Sequence, residues 1–182
     1  MTMTLVIGGA ASGKSAFAES LCLECTGPRV YVATMDAFGD AGSIRVARHR
    51  ALREGKGFET LERPRGVDAL VPHVPKGCTL LLEDVGNLVA NELFAGDSPC
   101  ASDAERAAQE AWRGIDALVA ASRDAVVVTV DTFRDGMRYD EGTETWRRAV
   151  AQVNARAAVC ADRVVEVVCG IPLWVKGEGA KR

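Results

Sequence analysis

The sequence predicts an α/β fold: a mainly parallel sheet flanked by helices, of the type built around a phosphate-binding loop. Three observations carry that reading. Short apolar runs alternate with longer segments of helical character along the chain. The stretch Gly8-Gly9-Ala10-Ala11-Ser12-Gly13-Lys14-Ser15 fits G-x-x-x-x-G-K-[ST] at every fixed position. A later apolar run, Cys78-Thr79-Leu80-Leu81-Leu82, ends in the acids Glu83 and Asp84. At 182 residues, 48% hydrophobic and 26% charged, the chain suits one nucleotide-binding domain spanning residues 1–182.

Leu5-Val6-Ile7 reads as a short buried strand, and Ala16 to Leu21 as the first turns of a helix. Gly27-Pro28 then turns the chain into a second strand, Arg29–Thr34. After a loop at Gly39–Gly42, Ser43 is placed to cap a helix from about Ile44 to Arg53, which Gly55 and Gly57 end. Phe58–Glu62 alternates as a short edge strand does. Pro64–Pro75 reads as loop, with one helical turn around Val67–Leu70. The run ending at Leu82 has the form of a buried parallel strand. Helical segments follow at Asn87–Phe94 and Asp103–Ser122, then a strand at Ala125–Val130, a helix from about Glu144 to Ala161 and a strand at Arg163–Val168. Gly170-Ile171-Pro172 reads as a break before a last short strand at Leu173–Val175, and the tail as frayed.

A strand, a Gly-rich loop and a helix in that order make a cradle for phosphates. Gly8, Gly9 and Gly13 let the backbone turn tightly, so that N–H groups, including those of Ala10, Ala11 and Ser12, converge at a helix N-terminus. Lys14 is placed to reach the β- and γ-phosphates, and the Ser15 hydroxyl to coordinate Mg²⁺. The acids after the fourth strand arrive at the carboxyl edge of the sheet, where ligands collect in open α/β folds. Periodicity leaves either Glu83 or Asp84 to face that site and hold Mg²⁺.

Arg45, His49 and Arg53 are spaced i, i+4, i+8 and share one helical face, with Arg48 and Arg50 flanking the histidine. Neighbouring guanidinium groups disfavour imidazolium, which keeps the ring neutral and nucleophilic near pH 7. They also suit the phosphates of a nucleotide. Attack of such a histidine on an α-phosphorus would give a covalent nucleotidyl-enzyme. His73, within Val71-Pro72-His73-Val74-Pro75, lacks this company and reads as structural.

A net charge of −3 and a pI of about 5.5 make no electrostatic case for nucleic acid. The apolar runs fall short of the roughly 20 residues of a membrane span, and no signal-peptide pattern precedes the first strand, so a cytoplasmic protein is expected. Of the six cysteines, Cys22 and Cys25 form a lone C-x-x-C without a second pair. Cys78, Cys160 and Cys169 lie in apolar sequence and read as small buried hydrophobes.

The sequence resembles the bifunctional adenosylcobinamide kinase/adenosylcobinamide-phosphate guanylyltransferase family. The resemblance is carried by Leu5–Ser15, by Tyr31-Val32-Ala33-Thr34, by Arg45-Val46-Ala47-Arg48-His49-Arg50, and by Leu81-Leu82-Glu83 with Leu88–Phe94. Gln152–Ala158 and Val165–Ile171 extend it to the C-terminal helix and strand. It implies phosphorylation of the aminopropanol hydroxyl of adenosylcobinamide with ATP or GTP. It further implies transfer of GMP from GTP onto that phosphate, giving adenosylcobinamide-GDP and pyrophosphate. By the same resemblance His49 is the guanylylated histidine, Lys14 and Ser15 are the phosphate and Mg²⁺ groups, Glu83 is the strand-end acid, and the assembly is a homotrimer.

The chain departs from the family after the fifth strand. Where members carry Asn-Glu-Val-Gly and then a Pro-Glu-Asn-Arg-like stretch, this chain reads Val130-Asp131-Thr132-Phe133-Arg134-Asp135-Gly136 and then Arg138-Tyr139-Asp140-Glu141-Gly142. Only an acid, Asp131, is kept in kind. Two other readings stand beside the resemblance: a P-loop kinase of another small alcohol without a GMP-enzyme, and a non-catalytic nucleotide-binding regulatory protein. The absence of a guanine-reading N-K-x-D motif weighs against a GTPase-type switch.

Overall fold

The computed structural model describes residues 1–36, 55–95, 103–134 and 136–177. The expected helix at 44–53, with Arg45 and His49, lies outside the described residues. Seven strands form one sheet: β1 (Thr2–Gly8), β2 (Arg29–Ala33), β3 (Phe58–Glu62), β4 (Thr79–Glu83), β5 (Asp124–Val130), β6 (Arg163–Val168) and β7 (Ile171–Lys176). Their spatial order is β3-β2-β4-β5-β1-β6-β7. All neighbours pair in parallel except β6 and β7, which are antiparallel. β3 is an edge strand, as its alternation suggests.

Helices cover both faces, which explains the continuous apolar runs. Along β1, Leu5 enters one core and Val6 the other. The Leu5 side packs with Val30, Leu80, Leu82 and Val127 beneath α2 (Val85–Leu93), α3 (Asp103–Ala121) and α4 (Glu141–Cys160). The Val6 side packs with Tyr31, Leu81, Val126, Val128 and Val165 beneath α1 (Lys14–Leu23), through Ala18 and Cys22. A 3₁₀ turn, Val67–His73, replaces the single helical turn expected at Val67–Leu70. It lies close against α3, where a Cβ on Gly114 would come within 2.5 Å of Val67 Cγ2.

Two helices begin earlier than the apolar periodicity indicates, and a capping aspartate is the reason in each. Asp84 Oδ1 accepts from the Asn87 N–H at 2.7 Å, so α2 starts at Val85. Asp140 Oδ1 accepts from the Thr143 N–H at 3.0 Å, so α4 starts at Glu141. The expected break at Gly170-Ile171-Pro172 is instead a tight hairpin. Val168 pairs with Ile171, and both intervening residues are left-handed, Cys169 at φ 50° and Gly170 at φ 81°. Two positive φ values are what a type I′ turn needs. β7 therefore runs through Pro172, which an edge strand tolerates because its missing N–H costs little there.

The cysteine expectations divide. Cys78 is buried, but Cys160 and Cys169 are exposed, one at the last residue of α4 and the other in the hairpin turn. Apolar neighbours in sequence do not bury a residue at the end of an element. Cys22 is fully buried in α1, and that burial, with Cys25 and Glu19 nearby, pushes its thiol pKa up to about 12.

Candidate phosphate-loop site

The loop between β1 and α1 is built by three different glycine requirements. Gly13 sits at φ 91° just before α1, and its Cβ would lie 3.2 Å from Gly170 Cα. Gly8 keeps a negative φ but is crowded, since a Cβ there would lie 2.5 Å from Ser12 Oγ and 2.8 Å from Val167 O. Gly9 needs neither, because its φ is not left-handed and nothing lies within 4 Å of its Cβ direction. The expectation that all three glycines serve the turn is thus corrected for Gly9. Ala11 takes a left-handed φ of 54° at the loop's apex.

The loop is braced both from within and from neighbouring elements. Ser12 N donates to Gly9 O at 3.3 Å, and the hairpin contributes Gly170 N to Ser12 O at 2.8 Å. On the opposite side Asp131 N, just past β5, donates to Gly8 O at 3.1 Å. Lys14 Nζ folds back onto Gly9 O at 3.0 Å. Ser12 Oγ is buried without a partner among the described residues.

The structure separates the two acids after β4. Glu83 accepts a short hydrogen bond from Ser15 Oγ on one oxygen and the Tyr31 hydroxyl at 3.0 Å on the other. Asp84 turns away to cap α2. Desolvation, reinforced by the Glu83 charge, pushes the Asp84 carboxyl above the ordinary carboxylate range, against the backbone hydrogen bond from Asn87 and the charge of Lys14. The chain around them is held in place: Thr34 Oγ1 donates to Asp84 O at 2.8 Å, and Asn91 Nδ2 to Thr34 O at 2.8 Å. The peptide between Glu83 and Asp84 is cis.

Two cavities flank the loop. One, of about 340 Å³, is lined by Ala11–Ala16 with Glu19 and Lys56, which form an ion pair. The other, of about 310 Å³, is lined by Gly9–Ser12, Arg134 and Glu166–Cys169. Beside it the departing loop after β5 is ordered by Arg147 of α4, whose guanidinium lies 5.8 Å from the Phe133 ring centroid and 5.1 Å from that of Tyr139.

The structure thus gathers Gly8–Ser15 and Glu83 at one sheet edge, while Arg45 and His49 lie outside the described residues. Sequence reasoning missed Tyr31, Lys56, Gly170 and the Arg134–Glu166 pair. Glu166 alone left a signal, as an acid inside the apolar run Val164–Val168.

Sequence comparison places these features among known proteins. A family described as cobinamide kinase / cobinamide phosphate guanyltransferase matches residues 4–175. The bifunctional adenosylcobalamin biosynthesis protein CobP of Pseudomonas aeruginosa is 30% identical over 176 residues, which cover 96% of this chain and 97% of that protein. The bifunctional adenosylcobalamin biosynthesis proteins CobU of Escherichia coli and Salmonella typhimurium are 31% and 33% identical, each match covering 96% of this chain and 99% of the relative.

Proposed function

The chain belongs to the cobinamide kinase / cobinamide phosphate guanyltransferase family, and from that premise we propose that it carries out both reactions as one cytoplasmic domain. In the first, the hydroxyl of adenosylcobinamide takes a phosphoryl group from ATP or GTP. In the second, that phosphate takes GMP from GTP, with release of pyrophosphate. The observation that supports this best is the meeting of Ser15, in the first turn of α1, with Glu83 at the end of β4, beside a loop shaped by Gly8 and Gly13.

A hydroxyl and a carboxylate are the hard oxygen donors that Mg²⁺ prefers, so Ser15 and Glu83 fit that ion. Bound there, Mg²⁺ would neutralise charge on the phosphates. Tyr31 holds the second Glu83 oxygen and so orients the carboxylate. Loop N–H groups and Lys14 supply positive potential where charge develops, so catalysis is chiefly positioning and electrostatics. For the second reaction a neutral His49 nitrogen attacks the α-phosphorus of GTP, forming a P–N bond as the P–O bond to pyrophosphate breaks. The substrate phosphate oxygen then displaces the histidine. Splitting one displacement into two is the gain. A homotrimer is the assembly proposed with this function.

The altered stretch 130–142 favours one second reading, a kinase without guanylyl transfer. Intact mass after incubation with GTP and Mg²⁺, without cobinamide, separates the two. The expected result is a GMP adduct on the wild type, acid-labile and absent from His49→Ala. No adduct with nucleotide binding intact would refute the histidine mechanism and leave the kinase.

A further inference from the structure

The cavity of about 310 Å³ beyond the phosphate loop contains chemistry that phosphate binding does not use. Its size falls at the lower end of small-molecule sites, about 300–1,000 Å³. It shares Ala11 and Ser12 with the cavity that contains Lys14 and Ser15, so a ligand with its phosphates on one side of the loop reaches the other within its own length. The walls are the small Ala10 and Ala11 and the exposed Val168 at the end of β6, surfaces suited to the face of a planar ring.

At the cavity's rim stands Arg134. It forms two ion pairs, with Nε 2.8 Å from Asp131 Oδ2 and Nη1 3.0 Å from Glu166 Oε1. Both carboxylates are largely buried, at 13% and 20% side-chain exposure, while Arg134 is 73% exposed. The two ion pairs draw the guanidinium toward the acids, and among the described residues Nη2 and Glu166 Oε2 have no hydrogen bond. An arginine donor beside a carboxylate acceptor presents a donor–acceptor edge. Guanine offers the complement, with O6 as acceptor next to the N1–H and N2–H donors. Adenine reverses the first two positions.

We propose that this cavity seats the purine of the nucleotide held by the phosphate loop, and that Arg134, fixed by Asp131 and Glu166, selects guanine over adenine. The inference rests on the reading of Gly8–Ser15 as a triphosphate cradle and names the base that accompanies it.

The test is equilibrium binding of the α,β-methylene analogues of GTP and ATP, which cannot release the α-phosphoryl group, to the full chain with Mg²⁺. The wild type is expected to prefer the guanosine analogue. Arg134→Ala and Arg134→Lys should each cut that preference by about tenfold, in line with one lost charge-assisted hydrogen bond to the base, with the larger loss on the guanosine analogue. The lysine variant keeps the charge and loses the fork, so equal weakening of both analogues in Arg134→Ala with rescue by lysine would overturn base recognition in favour of plain charge. A wild type without preference would overturn it as well. Failure of both analogues to bind the wild type would refute the phosphate-loop reading itself, and this inference with it.

Discussion

The three glycines of the phosphate loop carry different burdens, and replacing each by alanine separates folding from binding. Gly13→Ala forces a left-handed φ of 91° on a residue with a Cβ and brings that atom to 3.2 Å from Gly170 Cα. The conformational cost is about 1–2 kcal/mol, and crowding against the hairpin backbone brings the total to about 1–3 kcal/mol. Gly8→Ala meets Ser12 Oγ, which can rotate, and the Val167 carbonyl at 2.8 Å, which belongs to β6 and cannot move alone. Overpacking of this kind costs about 1–3 kcal/mol. Gly9→Ala meets nothing within 4 Å. Its folded state is unstrained and its unfolded chain is less free, so stability should stay equal or rise by about 0.4–1 kcal/mol.

Urea unfolding of the nucleotide-free protein, followed by circular dichroism, reads these differences as midpoint shifts at constant slope. In a chain of this size 1–3 kcal/mol corresponds to roughly 2–12 °C in Tm. Repeating the measurement with the α,β-methylene GTP analogue at 100 times its Kd should add about 2.7 kcal/mol to the wild type. Gly9→Ala should lose part of that increment, because its new methyl projects into open space beside the cavity proposed for the base. A Gly9→Ala protein destabilised like Gly13→Ala would refute this division of roles. A Gly13→Ala protein as stable as wild type would refute it equally.

The two acids after β4 should behave differently on substitution. Glu83→Ala is expected to abolish Mg²⁺-dependent turnover with little change in fold, whereas Asp84→Ala should lose about 1 kcal/mol of stability through the lost helix cap. Asp84→Asn, which keeps the cap acceptor, should unfold close to the wild-type midpoint, and a loss as large as that of Asp84→Ala would count against the cap. For the thiols, brief alkylation at pH 8 followed by peptide mapping should label Cys160 and Cys169 and spare Cys78 and Cys22, the latter with its pKa near 12 and almost no thiolate. Rapid labelling of Cys22 in the native protein would contradict its burial.

The fold was legible where burial leaves a periodic trace. A strand covered on both faces must be apolar throughout, so β1, β4, β5 and β6 stand out as runs, and β3, on the edge, alternates. The boundaries that went astray are those set by a single side chain or a single backbone angle. Asp84 and Asp140 extend α2 and α4 toward their N-termini through caps, which periodicity does not register. The Cys169–Gly170 turn converts an apparent break into a hairpin because Cys169 adopts a conformation rare for a residue with a Cβ.

The site divides in the same way. Its phosphate loop is local, eight consecutive residues whose spacing states their geometry. Besides the local bonds of Ser12 and Lys14 to Gly9 O, the loop is braced from elsewhere in the chain: Gly170 on Ser12, Asp131 on Gly8, Glu83 on Ser15, and Tyr31 on Glu83. No local pattern encodes such pairings. They arise because parallel strands deliver all their carboxyl ends to one edge, and the order β4-β5-β1-β6 sets Glu83, Asp131, the loop and Glu166 side by side. That arrangement has a consequence for how such a site changes. Among the described residues the loop after β5 meets the phosphate cradle through the pairing of Val130 with Gly8, Asp131 N on Gly8 O and the Arg134 rim. A change of sequence at residues 130–142 therefore alters the rim beside the loop while the contacts of Ser15 with Glu83 and of Gly170 with Ser12 stand apart from it.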